Sequence, residues 1–241
     1  MQPADVAALE RDTVAAVAAP QVLEIAGWLV PLDDGTIGRA RSAVPLRHDI
    51  GPEAIGEIVA AYHDHGLKPA FRIADVPSLE PVRAELARRG FAPGQPTIFK
   101  TGCIVRLAAF SADSATILAA PSTAWGAVFL GEGFDPVDGA HRIAALTRSP
   151  DAIYAVAGAG AEVQAVGVMS FGAAWAGIHG MRTARAHRGK GLASAILAAL
   201  GRAAQARGVE RVFLQVEAAN PARALYRRAG FSPLWQYRYW R

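Results

Sequence analysis

A single cysteine, Cys103, occurs in 241 residues, so no internal disulfide can form. Beside Ile104 and Val105 it reads as a small buried hydrophobe. Nowhere do apolar residues run unbroken for the roughly 18 to 20 positions that a membrane span needs, and no membrane partner is expected. The opening MQPADVAALERDTVAAV carries acids early and has no basic stretch before an apolar one. It does not read as a signal peptide, and a cytoplasmic location is the expectation. Charged residues are scarce at 19% against 52% hydrophobic, which excludes a disordered chain. Metal-ligand spacing is also missing: His63 and His65 form an isolated H-x-H without further ligands, so no metal is expected.

The charge that is present is unevenly placed. From Arg182 to Arg241 there are eleven Arg and Lys190 against Glu210 and Glu217, a balance of +10; the net +4 of the chain leaves −6 for the first 181 residues. That asymmetry suggests an anionic ligand for the C-terminal segment. Aromatic residues are not interleaved with the basic ones as a single-strand binding surface requires, so nucleic acid is not an expected partner.

The chain repeats itself. PVRAELARRGFAP at 81–93 and PARALYRRAGFSP at 221–233 share Pro, Arg, Ala, Arg, Gly, Phe and Pro at a constant offset of 140. Upstream of each lies an apolar strand-like run (Ala70 to Ile73, Arg211 to Val216). Before each strand comes a helix ending in glycine, Glu53 to His65 then Gly66 and Leu192 to Arg207 then Gly208. The order helix–strand–helix–strand thus occurs twice and implies an α/β or mixed α+β fold in two related halves. The boundary falls near 107–115, giving units 1–110 and 111–241. In the second half, strands are expected at Ala152–Ala157, Val163–Phe171, Ala176–Thr183, 211–217 and Leu234–Trp240, with a turn at Gly158-Ala159-Gly160. Gly201 weakens the helix from Leu192 without forbidding it. Asn220, Pro221 and Gly230 suit the N-cap, first turn and C′ position of a short helix. Gly27 to Val30 reads as a buried strand of the first half, with Trp28 in the core.

The run Arg188-Gly189-Lys190-Gly191-Leu192-Ala193 sits between a strand and a helix. Glycines there permit close backbone approach, the helix-start amides favour an anion such as a pyrophosphate, and Arg188 and Lys190 add charge. The run is neither a P-loop, lacking G-x-x-x-x-G-K-[ST], nor a dinucleotide fingerprint, since Ser194 stands where the third glycine belongs.

With those residues in place, the second half resembles the GNAT superfamily of acetyl-CoA-dependent N-acetyltransferases. Arg188, Gly191 and Ala193 fill the fixed positions of its Q/R-x-x-G-x-G/A signature. Asn220, Tyr226, Gly230 and Phe231 match its later pattern of an Asn before a Tyr-bearing helix that ends in Gly-Phe. The resemblance covers about 113–241. It implies a twisted mixed sheet with helices on both faces, in which strands 176–183 and 211–217 splay apart. It further implies that Met181, Arg182 and Thr183 pair with the pantetheine arm of acetyl-CoA and that amides of Arg188, Gly189, Lys190, Gly191, Leu192 and Ala193 hold the pyrophosphate. Asn220 and Arg223 are cofactor-side candidates, although Asn220 alternatively only caps its helix.

The implied reaction moves an acetyl or other acyl group from CoA to a primary amine by direct attack. Tyr226 is the implied proton donor to the leaving thiolate, or else ordinary helix packing. The base is poorly marked among His179, Glu217, Glu132 and Asp135. A CoA-binding regulatory module without turnover is the alternative, a homodimer is allowed, and the acceptor amine is unidentified. At the repeat-equivalent positions the first half offers Arg47-His48-Asp49, Glu80 and Leu86. An acid repels pyrophosphate and leucine donates no proton, so this half is a degenerate copy in a tandem arrangement like those known in the superfamily.

Overall fold

The molecule, a computed structural model, is described for residues 3–159 and 162–241. The first half runs α1 (Pro3–Ala15), β1 (Gln21–Ile25), β2 (Trp28–Leu32), β3 (Val44–Pro45), α2 (Ile55–Asp64), β4 (Phe71–Ala74), α3 (Glu80–Arg88), β5 (Thr97–Cys103) and α4 (Ile104–Ala108). The second runs β6 (Thr116–Leu118), α5 (Thr123–Ala127), α6 (Pro136–Thr147), β7 (Ala152–Ala159), β8 (Glu162–Phe171), β9 (Ala176–Thr183), α7 (Leu192–Ala206), β10 (Arg211–Glu217), α8 (Arg223–Arg228) and β11 (Ser232–Trp240). The expected strands of the second half are therefore present. The turn expected at Gly158-Ala159-Gly160 falls partly outside the described residues. The strand expected at Gly27–Val30 is β2, buried along its length with Trp28 fully enclosed.

The two halves share one mixed sheet of eight strands, ordered β4-β11-β5-β10-β9-β8-β7-β6. Its pairings are antiparallel except β9 with β10. β5, from the first half, lies between β10 and β11 of the second, and β11 in turn pairs with β4 of the first. Each half thus gives its last strand to the other. At the centre of the exchange Thr97 faces Tyr237, two residues related by the 140-residue repeat, so the internal symmetry passes between β5 and β11. The repeat is equally visible at the helix ends. Phe91 N–H donates to Leu86 O and Phe231 N–H to Tyr226 O, the same six-residue closure after a C′ glycine. A smaller antiparallel sheet, β1-β2-β3, joins the β4 edge through Ala43 and Phe71.

Alternation along the strands sorts side chains to two faces. On one face Ala165, Met169, Ile178, Val212 and Leu214 pack with Ile196, Leu197 and Leu200 of α7 and with Tyr226 of α8. On the other, Phe99, Phe213 and Trp235 pack with α2 and α3, while Val166 and Val168 pack with Trp125 and Phe129. α1 is fastened across this second face by buried acids. Asp12 accepts from the amides of Ala173, Ala174 and Trp175 at 3.0, 3.2 and 3.0 Å. Glu10 meets Arg72 of β4 at 2.6 Å, with both side chains nearly inaccessible.

Two sequence expectations are corrected. Cys103 is exposed, because β5 ends there and Ile104, starting α4, takes the buried position instead. Asn220 is not the N-cap: α8 begins at Arg223 with Ala222 in that position, and Asn220 Oδ1 accepts from Ala222 N–H at 2.9 Å to close the preceding turn.

Gly201 has a packing reason that the sequence did not reveal. A β-carbon there would lie 2.6 Å from Ala108 N and 2.8 Å from Leu107 C, so the glycine lets α4 lie against α7 backbone to backbone. Alanine would gain about 1 kcal/mol of helix propensity but displace a backbone segment at a cost of about 1–3 kcal/mol. Gly201→Ala is therefore expected to destabilise the protein in a denaturant titration; a stabilised variant would show that α4 is not held this closely.

Candidate active site

Among the described residues the large sheet has one parallel pairing, and it is short. β9 and β10 are joined at Ala176–Val212, Gly177–Phe213 and Ile178–Leu214, and beyond these the strands part. Each is still held on its outer side, β9 by β8 as far as Thr183 and β10 by β5 as far as Glu217. The opening is reinforced by a bulge: between the pairs Val168–His179 and Val166–Arg182, Gly180 and Met181 stand opposite Gly167 alone. Gly180 adopts φ +59°, and such a bulge bends its strand. The result is a wedge whose inner edge over Met181, Arg182 and Thr183 has no strand partner among the described residues, an edge able to pair with an extended chain.

At the mouth of the wedge the chain makes one 3-10 turn (Arg185–His187) and enters α7 through Arg188 to Gly191. Gly189 and Gly191 have φ +78° and +80°. A β-carbon on Gly189 would touch nothing within 4 Å, so conformation rather than crowding requires glycine. Among the described residues the amides of Gly189, Lys190, Gly191, Leu192 and Ala193 meet no backbone acceptor, and they crown the positive end of a fifteen-residue helix. The loop is exposed; Arg188 Nε donates to Thr183 O at 3.4 Å, and Lys190 Nζ lies 3.4 Å from His187 Nδ1. One feature opposes an anion: Asp113 Oδ2 would lie 3.6 Å from a Gly191 β-carbon.

The expected catalytic residues are distributed around this wedge. Tyr226 is buried in the cluster that also takes Ile178 and Met181 from one arm, Leu214 and Val216 from the other, and Leu192 from the loop. Its ring meets Phe231 edge-on at 6.2 Å, and its hydroxyl has no hydrogen-bond partner among the described residues. Burial pushes the phenol up to about 12, so it is a proton carrier at every ordinary pH. Glu217 is exposed at the open end of β10. Arg223 folds back onto Ala218 O, beside Asn220. Asp135 is occupied as the N-cap of α6, its carboxylate accepting from Val137 and Asp138 N–H at 2.8 and 3.0 Å; Glu132 is exposed.

His179 is the first residue of β9 without a β10 partner and lies on the face away from α7, 2% exposed. One ring nitrogen, Nε2, is 3.0 Å from Ser170 Oγ, and Nδ1 has no partner. Burial, with the Arg39 charge added, pulls its pKa well below the usual imidazole value. A neutral ring fixed in this way suits a positioning group better than a proton acceptor.

The comparisons with known proteins bear on family and fold. The family described as "Probable histone acetyltransferase Rv0428c C-terminal" matches residues 3–240. The chain belongs to that family, within the GNAT superfamily. No curated protein matches it. Among solved structures, a GCN5-related N-acetyltransferase from Kribbella flavida is similar with TM-score 0.71 and 15% identity, covering 98% of this chain and 94% of that one. A tandem GNAT protein from the clavulanic acid biosynthesis pathway gives 0.63 and 16%, covering 98% and 92%. A conserved protein of unknown function from Staphylococcus epidermidis ATCC 12228 gives 0.69 and 14%, covering 93% and 94%. At these identities the structural likeness establishes the fold.

In this acetyltransferase fold the charge asymmetry has a partly internal explanation. Arg182 pairs with Asp138, Arg207 with Asp151, Arg211 with Asp5 and Arg238 with Asp75, each an acid from the first 181 residues. Sequence reading missed a polar cluster beneath the apex of the wedge. There Gln215, the first residue of β10 without a β9 partner, donates to Thr13 Oγ1 at 3.3 Å and accepts from Tyr237 Oη at 2.9 Å and Arg39 Nη1 at 3.4 Å. These residues come from four separate segments. Their one sequence signal was a glutamine inside the apolar run VFLQV.

His179 yields a test by its pH linkage. Its folded pKa is depressed, so below about pH 6.5 the unfolded chain takes up a proton that the folded one refuses, and stability falls as pH falls. Unfolding free energies from denaturant titrations between pH 7 and 5 should decline with a slope of up to about 1.4 kcal/mol per pH unit from this group, and His179→Gln should flatten the decline. An unchanged slope in the variant would mean that His179 is not held neutral.

Proposed function

We propose that this protein transfers an acyl group, acetyl in the simplest case, from acyl-CoA to a primary amine. The observation that carries the reading is the wedge between β9 and β10, opening onto a glycine loop whose five free amides cap α7. The donor set fits a coenzyme of that shape. The strand edge at Met181, Arg182 and Thr183 offers ladder-type hydrogen bonds to the amides of a pantetheine arm, and the loop amides with Arg188 and Lys190 face its pyrophosphate.

In this reading the thioester end reaches the apex, where His179 and Gln215 begin the unpaired stretch. The amine, approaching from the face opposite α7, attacks the thioester carbon; a C–N bond forms and the C–S bond breaks. A free backbone N–H of the β9 edge polarises the carbonyl oxygen. The ammonium proton leaves to solvent by way of Glu217, which shares Gln215's face of β10 and is exposed. Tyr226 gives its phenolic proton to the departing sulfur, a transfer suited to a phenol whose hydroxyl has no competing partner, and is restored from solvent, which also takes the second proton that the nitrogen sheds on becoming an amide.

Removing that proton while keeping the ring separates chemistry from packing. Tyr226→Phe is expected to lower turnover by about 10²- to 10⁴-fold, with acetyl-CoA affinity and melting temperature close to wild type. Because the phenol stays protonated up to about 12, the wild type should show no alkaline loss of turnover from this group below about pH 11. Free-thiol release over a panel of amines measures both. Tight acyl-CoA binding with no thiol release for any amine would point instead to a binding module without turnover.

A further inference from the structure

The cluster beneath the apex has more positive charge than its acids can balance. Arg39 has no carboxylate within 4.0 Å among the described residues; its one side-chain hydrogen bond is the long one to Gln215, and its buried Nε has no partner. The neighbouring guanidiniums do not relieve this. Arg72 has Glu10, while Arg142 and Arg182 share the single carboxylate of Asp138, at 2.6 and 3.5 Å. Arg72 and Arg142 are close enough to Arg39 for their charges to bear on it. Four guanidiniums against two carboxylates leave a surplus of two positive charges beside the wedge's apex.

The surroundings of Arg39 are arranged as a receptor. Tyr239 packs so tightly on Gly38 that a β-carbon there would lie 2.6 Å from its ring, which fixes the turn carrying Arg39. Tyr237 and Tyr239 bring their hydroxyls within 3.5 Å of each other, and Tyr237 is anchored to the same Gln215 oxygen that Arg39 reaches. His179 adds a second orphaned polar atom, Nδ1, deeply buried. Arg39 itself is half-buried and so still reachable. Buried polar groups left unpaired are costly, and a guanidinium fork beside the Tyr239 hydroxyl fits a carboxylate.

We propose that the acceptor is an amine that also carries a carboxylate, of the amino-acid type, and that Arg39 receives this carboxylate while the amine faces the apex. The proposal rests on the acyl-transfer reading above and names its substrate class. The first half of the chain then has a direct part in the site, since Arg39 and Thr13 belong to it. A lysine-rich polycationic tail is disfavoured by the same surplus charge.

The test compares matched series differing only in that group. Free amino acids and their carboxamides serve as acceptors, and N-acetyl amino acids and their carboxamides serve as ligands that need no turnover. Wild type should prefer the carboxylate series by about 10- to 100-fold in kcat/KM and in affinity. Arg39→Gln should erase the difference, and Arg39→Lys should retain part of it. Equal treatment of the two series by wild type, preference for the carboxamides or for a polycationic peptide, or a preference that survives Arg39→Gln would each overturn the proposal. Thiol release with no carboxylate preference would overturn only this assignment. Carboxylate-selective ligand binding without thiol release from any amine would leave Arg39 as a carboxylate site but overturn the acyl-transfer reading and, with it, the acceptor role.

Discussion

The structure turns on the point where β9 and β10 let go of each other. Three residue pairs hold them together, and the next residues, His179 and Gln215, have no partner on the side where the strands part. Two strands separating inside a sheet leave unpaired amides and carbonyls on both edges, a costly arrangement unless each strand is secured elsewhere. Here both are. β8 holds β9 across a bulge at Gly180, and β5 holds β10 along all seven residues. Asp12 of α1, taking three amides of the β8–β9 turn, fixes the closed end.

That arrangement explains why the chain is a double unit. The strand that secures β10 comes from the first half, and the strand that covers β4 comes from the second. The halves have kept one topology while diverging at the loop that matters. Where the second half has glycines and free amides, the first has Arg47 and Asp49 in an ion pair at 3.1 Å, and His48 packed edge-on against Trp235 at 5.0 Å. Leu86, matching Tyr226, is wholly buried. In the proposed reading the first half contributes by holding the sheet and lining the acceptor side.

Much of the second half was legible because its signals are local. Alternation within 8–12 residues marked the strands, and glycine-rich punctuation marked both the loop and the helix ends. The pairing of β5 with β10 and β11 was not legible: it joins residues more than a hundred positions apart, and neither strand's own pattern names its neighbour. Cys103 was misplaced because Ile104 and Val105 look like a continued buried run, whereas the chain turns into α4 there and leaves Val105 59% exposed. Gly201 read as a weakness in a helix, since nothing local shows that a second helix needs its missing β-carbon. The polar cluster of Thr13, Arg39, Gln215 and Tyr237 was invisible for the same reason as the exchange, being assembled only by tertiary contact.

The central claim is that acyl-CoA is bound by the second half alone, along the β9 edge and the loop before α7. Amide hydrogen exchange of the full chain with and without acetyl-CoA addresses it directly. The account predicts new protection at Met181–Thr183 and Gly189–Ala193 and none at Arg47–Asp49. Unchanged exchange at both second-half segments, or protection appearing at 47–49 instead, would contradict it.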